Sequence, residues 1–243
     1  MQKEKDNWYA WWFNTPYYHL LYKDRGHREA AMFMNTLTNY LNLQKNDSIL
    51  DLACGRGRHS KYLYKQGFDV TGIDLSEESI NYAKQYEKPG LHFDVHDMCL
   101  PYPKQFDAVF NLFTSFGYFE KEEDNLRTIK AIKAELKPNG FGVIDFLNVE
   151  LAIKNLVPLE KKKVGNIVFY IEKYVEENYI IKNIRFNDDG TDYHYVEKVK
   201  ALTLKDFEFY FNEAGIKLKN IFGDYQLNDF DKITSERLIL IFN

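Results

Sequence analysis

A glycine-containing turn between an apolar strand and a helix is the part of this sequence best suited to chemistry. Residues 49–60 read ILDLACGRGRHS, with Asp51 inside the end of the strand and Gly55 and Gly57 in the turn. A second apolar segment ends on Asp74, nineteen residues after Gly55. This layout is typical of a nucleoside-cofactor pocket in an open α/β sheet. The spacing therefore predicts a nucleoside cofactor and leaves its identity to be decided.

The details of the turn argue against a dinucleotide. A dinucleotide fingerprint has a third glycine where this chain has Ser60, and it directs a helix N-terminus at a pyrophosphate. A carboxylate at Asp51 would repel a diphosphate and would suit a ligand that carries cationic groups. A nicotinamide-dependent oxidoreductase stays an alternative.

Five segments in order resemble the class I S-adenosylmethionine-dependent methyltransferases. The run Asp-x-Ala-x-Gly-x-Gly resembles the first motif of that family, and Asp74 lies where the family keeps an acidic residue. Residues 93–98 (FDVHDM), 106–113 (FDAVFNLF) and 136–141 (LKPNGF) resemble the third strand, the fourth strand and the turn before the fifth. The resemblance covers roughly residues 45–148 and implies S-adenosylmethionine as the cofactor.

The resemblance also implies a set of cofactor-binding residues. Asp74 would accept hydrogen bonds from both ribose hydroxyls, with a contribution of about 1.5–3 kcal/mol. Leu75 would pack on the adenine, and Asp97 would meet its amino group. Ala53 replaces the usual first glycine, so we expect a slightly wider turn. The cofactor-binding residues predicted in the core are Asp51, Ala53, Gly55, Gly57, Asp74, Leu75, Asp97, Met98, Asn111 and Phe113.

Some of these residues have structural alternatives. Asp97 could cap a local turn, and Asp74 could cap a helix, although Ser76 already suits that position. The apolar residues around Asn111 and Phe113 could belong mainly to the core. No paired cysteine spacing suggests a metal, so no metal site is predicted.

The N-terminal segment is rich in aromatic residues. All three tryptophans lie within residues 8–13 (WYAWWF), and three tyrosines follow. One hypothesis is a helix pinned against the domain by large side chains. The other is a lid whose rings face the sulfonium or the substrate. By resemblance to small-molecule methyltransferases, Tyr17, Tyr22 and Arg25 are the candidates for closing over the methionine end of the cofactor.

The methyl acceptor and any catalytic base are not fixed by the sequence. His19, His59 and His194 are candidate bases, yet each has an ordinary structural role as its simpler explanation. Residues 113–119 (FTSFGYF) would form an apolar wall for a small organic substrate or would pack the lid onto the core. The predicted function is methyl transfer to nitrogen or oxygen of a small molecule by in-line displacement, with no catalytic residue named. A non-catalytic S-adenosylmethionine-binding module is a further alternative.

The predicted fold class is α/β, a Rossmann-like mixed seven-stranded sheet with helices on both faces, an N-terminal helical lid and an inserted antiparallel β-meander. We expect one methyltransferase domain over residues 1–243. Residues 1–45 form the lid, 46–150 the cofactor-binding core with five alternations of strand and helix, and 158–202 the inserted meander, with three strands between residues 164 and 202. Residues 203–243 form a closing helix, capped at Thr203 and stopped at Gly215, and a hairpin.

Composition narrows the functional class further. The net charge is -4 and the longest basic run is Lys161-Lys162-Lys163, so nucleic acid is disfavoured as a substrate. The charged and aromatic N-terminus resembles neither a signal peptide nor a membrane span. We therefore expect a cytoplasmic enzyme, monomeric or homodimeric, whose partner is a small-molecule methyl acceptor.

Overall fold

A computed structural model describes residues 8–23 and 26–243 of the chain. Its helices are α1 (Trp8–Trp12), α2 (Pro16–Leu21), α3 (His27–Tyr40), α4 (Arg58–Lys65), α5 (Glu77–Lys84), α6 (Glu122–Glu135), α7 (Val149–Lys154) and α8 (Leu204–Ala214). Its strands are β1 (Ser48–Leu52), β2 (Asp69–Asp74), β3 (Leu91–Val95), β4 (Phe106–Asn111), β5 (Leu136–Leu147), β6 (Leu159–Val164), β7 (Ile167–Glu176), β8 (Tyr179–Asp188), β9 (Thr191–Lys200), β10 (Leu218–Phe222) and β11 (Arg237–Phe242).

A seven-stranded sheet in the order β10-β11-β5-β4-β1-β2-β3 forms the centre of the fold. Strand β1 pairs in parallel with β2 and β4, and β11 pairs antiparallel with β5 and β10. The strand order reverses between β1 and β4, and ligands of open α/β sheets bind at such a point. The predicted fold class is confirmed, including the antiparallel last strand.

Alternate residues of the buried strands pack on opposite faces of this sheet. Leu50 and Val109 face a core with α6 and α8, whereas Ile49 and Ala108 face a core with α3, α4 and α5. This alternation follows from the two-residue period of a strand and explains why helices cover both faces.

Local signals located several element ends correctly. The Ser76 hydroxyl caps α5 by accepting a hydrogen bond from the Ser79 amide. Thr203 and Asp206 form a capping box at the start of α8, and Gly215 ends that helix in a left-handed conformation.

Strands β6 to β9 form a separate four-stranded antiparallel sheet, here called the meander sheet. The three strands predicted over residues 164–202 are β7, β8 and β9, whereas β6, which contains Lys161–Lys163, was not predicted because it lacks an apolar alternation. It forms as an edge strand through its backbone pairing with β7, and lysines are common on such edges. The turns that join β7 to β8 and β8 to β9 have Glu177–Asn178 and Asp189–Gly190 as their central residues, all with positive φ, as two-residue hairpin turns of this kind require.

Two further expectations need correction. Residues 96–105 between β3 and β4 contain no helix, because the local Asp97 turn and two prolines at 101 and 103 do not permit one. The N-terminal lid predicted as helical is divided into α1, α2 and α3, since residues 13–15 and 22–23 interrupt it. Within the part of the chain that the structure describes, no helix has the length and apolar character that a membrane crossing requires.

Candidate active site

The glycine turn lies at the carboxyl end of β1 and is fixed to the end of β2. The Cys54 amide donates to the carbonyl of Ile73 at 3.0 Å, and the Gly55 amide donates to Asp74 Oδ2 at 2.8 Å. Ala53 has φ 58°, a left-handed conformation that is costly for any residue with a Cβ. The substitution of the usual first glycine is therefore accommodated by backbone strain.

The two glycines of the turn have different surroundings. A Cβ built on Gly55 meets nothing within 4 Å, so this position borders open space. A Cβ built on Gly57 would lie 2.5 Å from the buried ring of Phe93. The missing Cβ of Gly55 therefore leaves open space that a ligand could occupy, whereas the missing Cβ of Gly57 allows α4 to begin close to β3.

Asp51 is a buried carboxylate directly under the turn. Its Oδ2 accepts a hydrogen bond of 2.6 Å from the Ser60 hydroxyl, and 3% of its surface is exposed. Burial raises the pKa of Asp51 to about 6, and the nearby Asp74 adds to this rise against the hydrogen bond from Ser60. A positively charged ligand group above the turn would stabilise the ionised form.

Asp74 closes β2 with both carboxylate oxygens directed at backbone amides. Its Oδ1 accepts from the Ser76 amide and its Oδ2 from the Gly55 amide, each at 2.8 Å. Burial raises its pKa and these hydrogen bonds oppose the rise. The neighbouring Leu75 is 43% exposed, and Ser76 hydrogen-bonds to Asn14 of the N-terminal segment. Carboxylate, exposed apolar side chain and covering segment thus meet at one edge of the sheet.

The next two strands bring further predicted residues to the same edge. Asp97 Oδ1 accepts a hydrogen bond from the Cys99 amide at 2.9 Å, which is the local turn considered as its alternative role. The Asn111 amide nitrogen lies 3.8 Å from the Met98 sulfur. The Oδ1 atom of Asn111 is buried and has no hydrogen-bond partner in the described structure, so it is an acceptor that a ligand donor could satisfy.

Phe113 and Thr114 follow β4 with φ values of 59° and 61°. The Phe113 amide donates to Asp145 Oδ2 at 2.8 Å, and Arg237 donates to Thr114 Oγ1 at 3.0 Å. Arg237 also forms an ion pair with the fully buried Asp145. Successive left-handed residues without glycine indicate strain that this buried pair holds in place.

The N-terminal segment packs on the meander sheet. Trp12 Nε1 and the Tyr22 hydroxyl both donate to Glu197 Oε1, at 2.8 and 2.6 Å. The Tyr17 hydroxyl donates to Asp188 at 2.9 Å. These hydrogen bonds of Tyr17 and Tyr22 are thus with the meander sheet, and Arg25 lies outside the described residues. Their predicted contact with the cofactor remains a prediction.

An aromatic cluster joins the N-terminal segment to the loop after β4. The rings of Trp8, Tyr9 and Phe13 lie 5.4–6.2 Å from the ring of Tyr118, measured between centroids. Burial raises the pKa of Tyr9 to about 12, and the carboxylates of Asp97, Asp124 and Glu120 add to this rise. The cluster therefore combines aromatic faces with a negative potential.

The three candidate histidines lie in different places. His19 is half-buried with its Nε2 unpartnered among the described residues, and burial, with Arg56, lowers its pKa. The ring of His59 lies 4.5 Å from that of Phe113. His194 is on the meander sheet, 3.4 Å from Asn183 Oδ1. No single base is singled out by this arrangement.

The buried Asp145–Arg237 pair was missed from the sequence. A carboxylate within the apolar run of β5 and an arginine before the apolar run of β11 were the available signals. These two residues indicate an ion pair only when the sheet topology, with β5 beside β11, is known.

Comparison with known proteins identifies the fold and a methyltransferase domain within the chain. Residues 49–140 match the family model of the methyltransferase domain. A methyltransferase structure from Clostridium acetobutylicum described as S-adenosylmethionine-dependent has a TM-score of 0.77 at 22% identity, covering 93% of this chain and 95% of that one. Residues 49–140 of the chain thus carry a methyltransferase domain, and the chain has the fold of the S-adenosylmethionine-dependent methyltransferases.

Two curated relatives define the extent of the similarity. The Bacillus subtilis protein YqeM is 38% identical over 108 residues, which are 42% of this methyltransferase chain and 43% of YqeM. The match therefore spans less than half of that relative. The dTDP-3-amino-3,4,6-trideoxy-alpha-D-glucopyranose N,N-dimethyltransferase of Streptomyces venezuelae is 27% identical over 186 residues, 72% of this chain and 78% of that protein.

The site fits the cofactor of this methyltransferase family, S-adenosylmethionine. Gly55 borders open space, Asn111 Oδ1 lacks a partner, and Asp51 and Asp74 supply negative charge for a cationic nucleoside. The match of residues 49–140 to a methyltransferase domain argues against the nicotinamide-dependent oxidoreductase.

Proposed function

We propose that this protein transfers a methyl group from S-adenosylmethionine to an amino group of a small molecule. The observation that carries the choice of nitrogen is the aromatic cluster of Trp8, Tyr9, Phe13 and Tyr118, where the charges of Asp97, Asp124 and Glu120 help to raise the pKa of Tyr9. Aromatic faces and carboxylates together attract an ammonium group. The Streptomyces relative, which is named for N,N-dimethylation of an amino sugar, supports the same class of acceptor.

The cofactor, when bound, supplies an electrophilic methyl group on a sulfonium. The chain's own residues then have to hold the reactants in line and exclude water. Asp51 and the open face of Gly55 would receive the methionine part, Asp74 the ribose, and Leu75, Asp97 and Met98 the adenine. Ala53, Gly57, Asn111 and Phe113 complete the proposed binding set. Tyr17, Tyr22 and Arg25 stay predictions as residues that close over the cofactor.

The amine must lose its proton before it attacks. The carboxylates of Asp97, Asp124 and Glu120 would attract the protonated amine, and water can remove its proton, so no dedicated base is needed. Aromatic rings would then face the neutral nitrogen and the sulfonium. We also propose a single cytoplasmic domain with the lid, core, meander and hairpin described above, acting as a monomer or homodimer.

The test uses pairs of acceptors that differ in one group. Purified protein is incubated with methyl-labelled S-adenosylmethionine and amino sugars or small amino acids, each paired with the corresponding hydroxyl compound. We expect label in the amines only, and loss of labelling in an Asp74→Ala control that cannot bind the ribose. Methylation of hydroxyl compounds alone would contradict the choice of nitrogen. Cofactor binding without turnover on any acceptor would favour the non-catalytic module.

A further inference from the structure

A cavity of about 560 Å³ lies outside the candidate active site, between α3, α4 and the residues before β3. The Tyr62 hydroxyl donates to Asn35 Oδ1 at 3.0 Å and so joins α4 to α3 beside it. We call this cavity the basic cleft. Its walls are formed by Arg28, Ala30, Ala31, Met34, Arg58, His59, Lys61, Tyr62, Tyr64, Lys65, Tyr86, Lys88 and Leu91.

The lining of the basic cleft has one sign of charge. Five lysines and arginines contribute to it, and no carboxylate does. Within the described residues, Arg28, Lys61, Lys65 and Lys88 form no ion pair. This concentration of positive charge occurs in a protein whose net charge is -4, so it is a local feature and not a general property of the surface.

The cations repel one another in the protein alone. Arg58, Lys61 and Lys65 follow one another at spacings of three and four along α4, where like charges destabilise a helix. Burial lowers the pKa of Lys61, and the charge of Lys65 lowers it further. An anion bound among these groups would relieve the repulsion.

Tyrosine rings hold the lysines in position. The Lys61 ammonium lies 3.7 Å from the centroid of the Tyr86 ring, and the Lys88 ammonium lies 4.6 Å from that of Tyr64. A cation placed over an aromatic face keeps its N–H donors directed away from the ring. The cleft thus presents the ammonium groups of Lys61 and Lys88 as hydrogen-bond donors that aromatic rings hold in position.

We propose that the basic cleft binds a phosphate-bearing small molecule. Lysine and arginine form charge-assisted hydrogen bonds with phosphate oxygens, and the cavity has the volume of a small-molecule site rather than an extended surface. The negative net charge disfavours a nucleic acid strand as the occupant. This site is distinct from the cofactor site of the proposed function.

The basic cleft reaches the wall of the candidate active site. Arg58 and His59 line the cleft and directly follow Gly57, and the His59 ring lies 4.5 Å from the ring of Phe113. A phosphate in the cleft could therefore belong to an effector or to a distant end of the acceptor. Both sources share the same recognition chemistry.

Direct binding tests this proposal without any methyl transfer. Isothermal titration of the full chain is performed with inorganic pyrophosphate and with uridine diphosphate, at low and high ionic strength, with S-adenosylhomocysteine present to fill the cofactor site. The variant carries Lys61→Gln and Lys65→Gln. A matched control carries Lys217→Gln and Lys219→Gln, two exposed lysines near the opposite edge of the sheet.

We expect the wild type and the control to bind, with weaker binding at high ionic strength. The Lys61/Lys65 variant should lose about tenfold or more in affinity, as expected when charged hydrogen bonds are removed. A second variant, Arg28→Gln with Lys88→Gln, should lose affinity similarly and serves if the first does not fold. Stronger binding of uridine diphosphate indicates contacts beyond the phosphates, and equal binding indicates phosphate recognition alone.

Three results would overturn the proposal. The first is absence of binding in the wild type. The second is equal weakening in the control variant, since that would reflect net charge and not the cleft. The third is a preference for a single-stranded oligonucleotide over both phosphates. Failure here leaves the methyltransferase assay unaffected, so the two proposals are judged separately.

Discussion

Alanine substitutions at Gly55 and Gly57 should separate cofactor binding from folding. Both glycines have positive φ, 54° and 70°, so alanine at either position costs about 1 kcal/mol of stability from the left-handed backbone. At Gly55 the new methyl group meets no protein atom within 4 Å. At Gly57 it would lie 2.5 Å from the ring of Phe93, which is fully buried.

The structure allows a magnitude for each variant. Overpacking a buried ring costs about 1–3 kcal/mol in addition to the backbone cost, so Gly57→Ala should lose about 2–4 kcal/mol of stability. Gly55→Ala should lose only about 1 kcal/mol. Its methyl group occupies the open face of the turn, so affinity for S-adenosylmethionine should fall about tenfold or more, a cost of about 1.4 kcal/mol per factor of ten.

Urea unfolding without cofactor gives the two stabilities, and isothermal titration of the folded variants gives the affinities. Equal free energies of unfolding for Gly55→Ala and Gly57→Ala would contradict the predicted clash between the Phe93 ring and a methyl group at position 57. Wild-type affinity in Gly55→Ala would refute the assignment of the open space at this turn to the cofactor.

Three more predictions concern charged side chains that are wholly or partly buried. Asp51→Asn should be more stable than the wild type by up to about 3 kcal/mol at neutral pH. Burial raises the pKa of Asp51 to about 6 in the folded protein, so ionisation of this carboxyl lowers the free energy of unfolding of the wild type as the pH rises from about 4 to 6. Unfolding measured across this range should show the gap closing at low pH, and cofactor titration should show weaker binding. Arg237→Met leaves Asp145 as an uncompensated buried charge and should cost about 3–5 kcal/mol in urea unfolding; a loss below about 1 kcal/mol would mean that the pair is not needed. Glu197→Ala removes the acceptor of Trp12 and should speed hydrogen exchange in α1 and α2 but not in the central sheet; unchanged exchange would mean that the contact does not secure the segment.

Sequence signals that act over a few residues located much of the fold. Ser76 and Thr203 cap helices because a side-chain oxygen can reach an amide two or three positions later, a relation contained in the local sequence. Gly215 is similar, since its left-handed conformation follows from the lack of a Cβ. The same reasoning failed for β6, whose pairing with β7 is a backbone interaction that its lysines do not reveal.

The candidate site was predictable where its residues end consecutive strands. Asp51, Gly55 and Asp74 meet because parallel strands present their carboxyl ends at one edge of a sheet. The partners of the N-terminal segment were not predictable. Trp12 donates a hydrogen bond to Glu197, which is 185 residues away in the sequence. No sequence pattern around either residue predicts this contact. The segment's aromatic density indicated burial but not the surface against which it is buried.

The strained loop after β4 shows that the final hairpin belongs to the site. Left-handed backbone at Phe113 and Thr114 costs about 1–2 kcal/mol for each residue, so the loop needs fixed partners to persist. Those partners are Asp145 on β5 and Arg237 on β11, and the Tyr225 hydroxyl lies 3.4 Å from the same carboxylate. Because Arg237 and Tyr225 lie beyond the segment that matches the family model, the geometry of Phe113 depends on residues outside that segment. A fragment that ends at residue 140 would retain the glycine turn and Asp74 but would lose the groups that hold Phe113 beside His59.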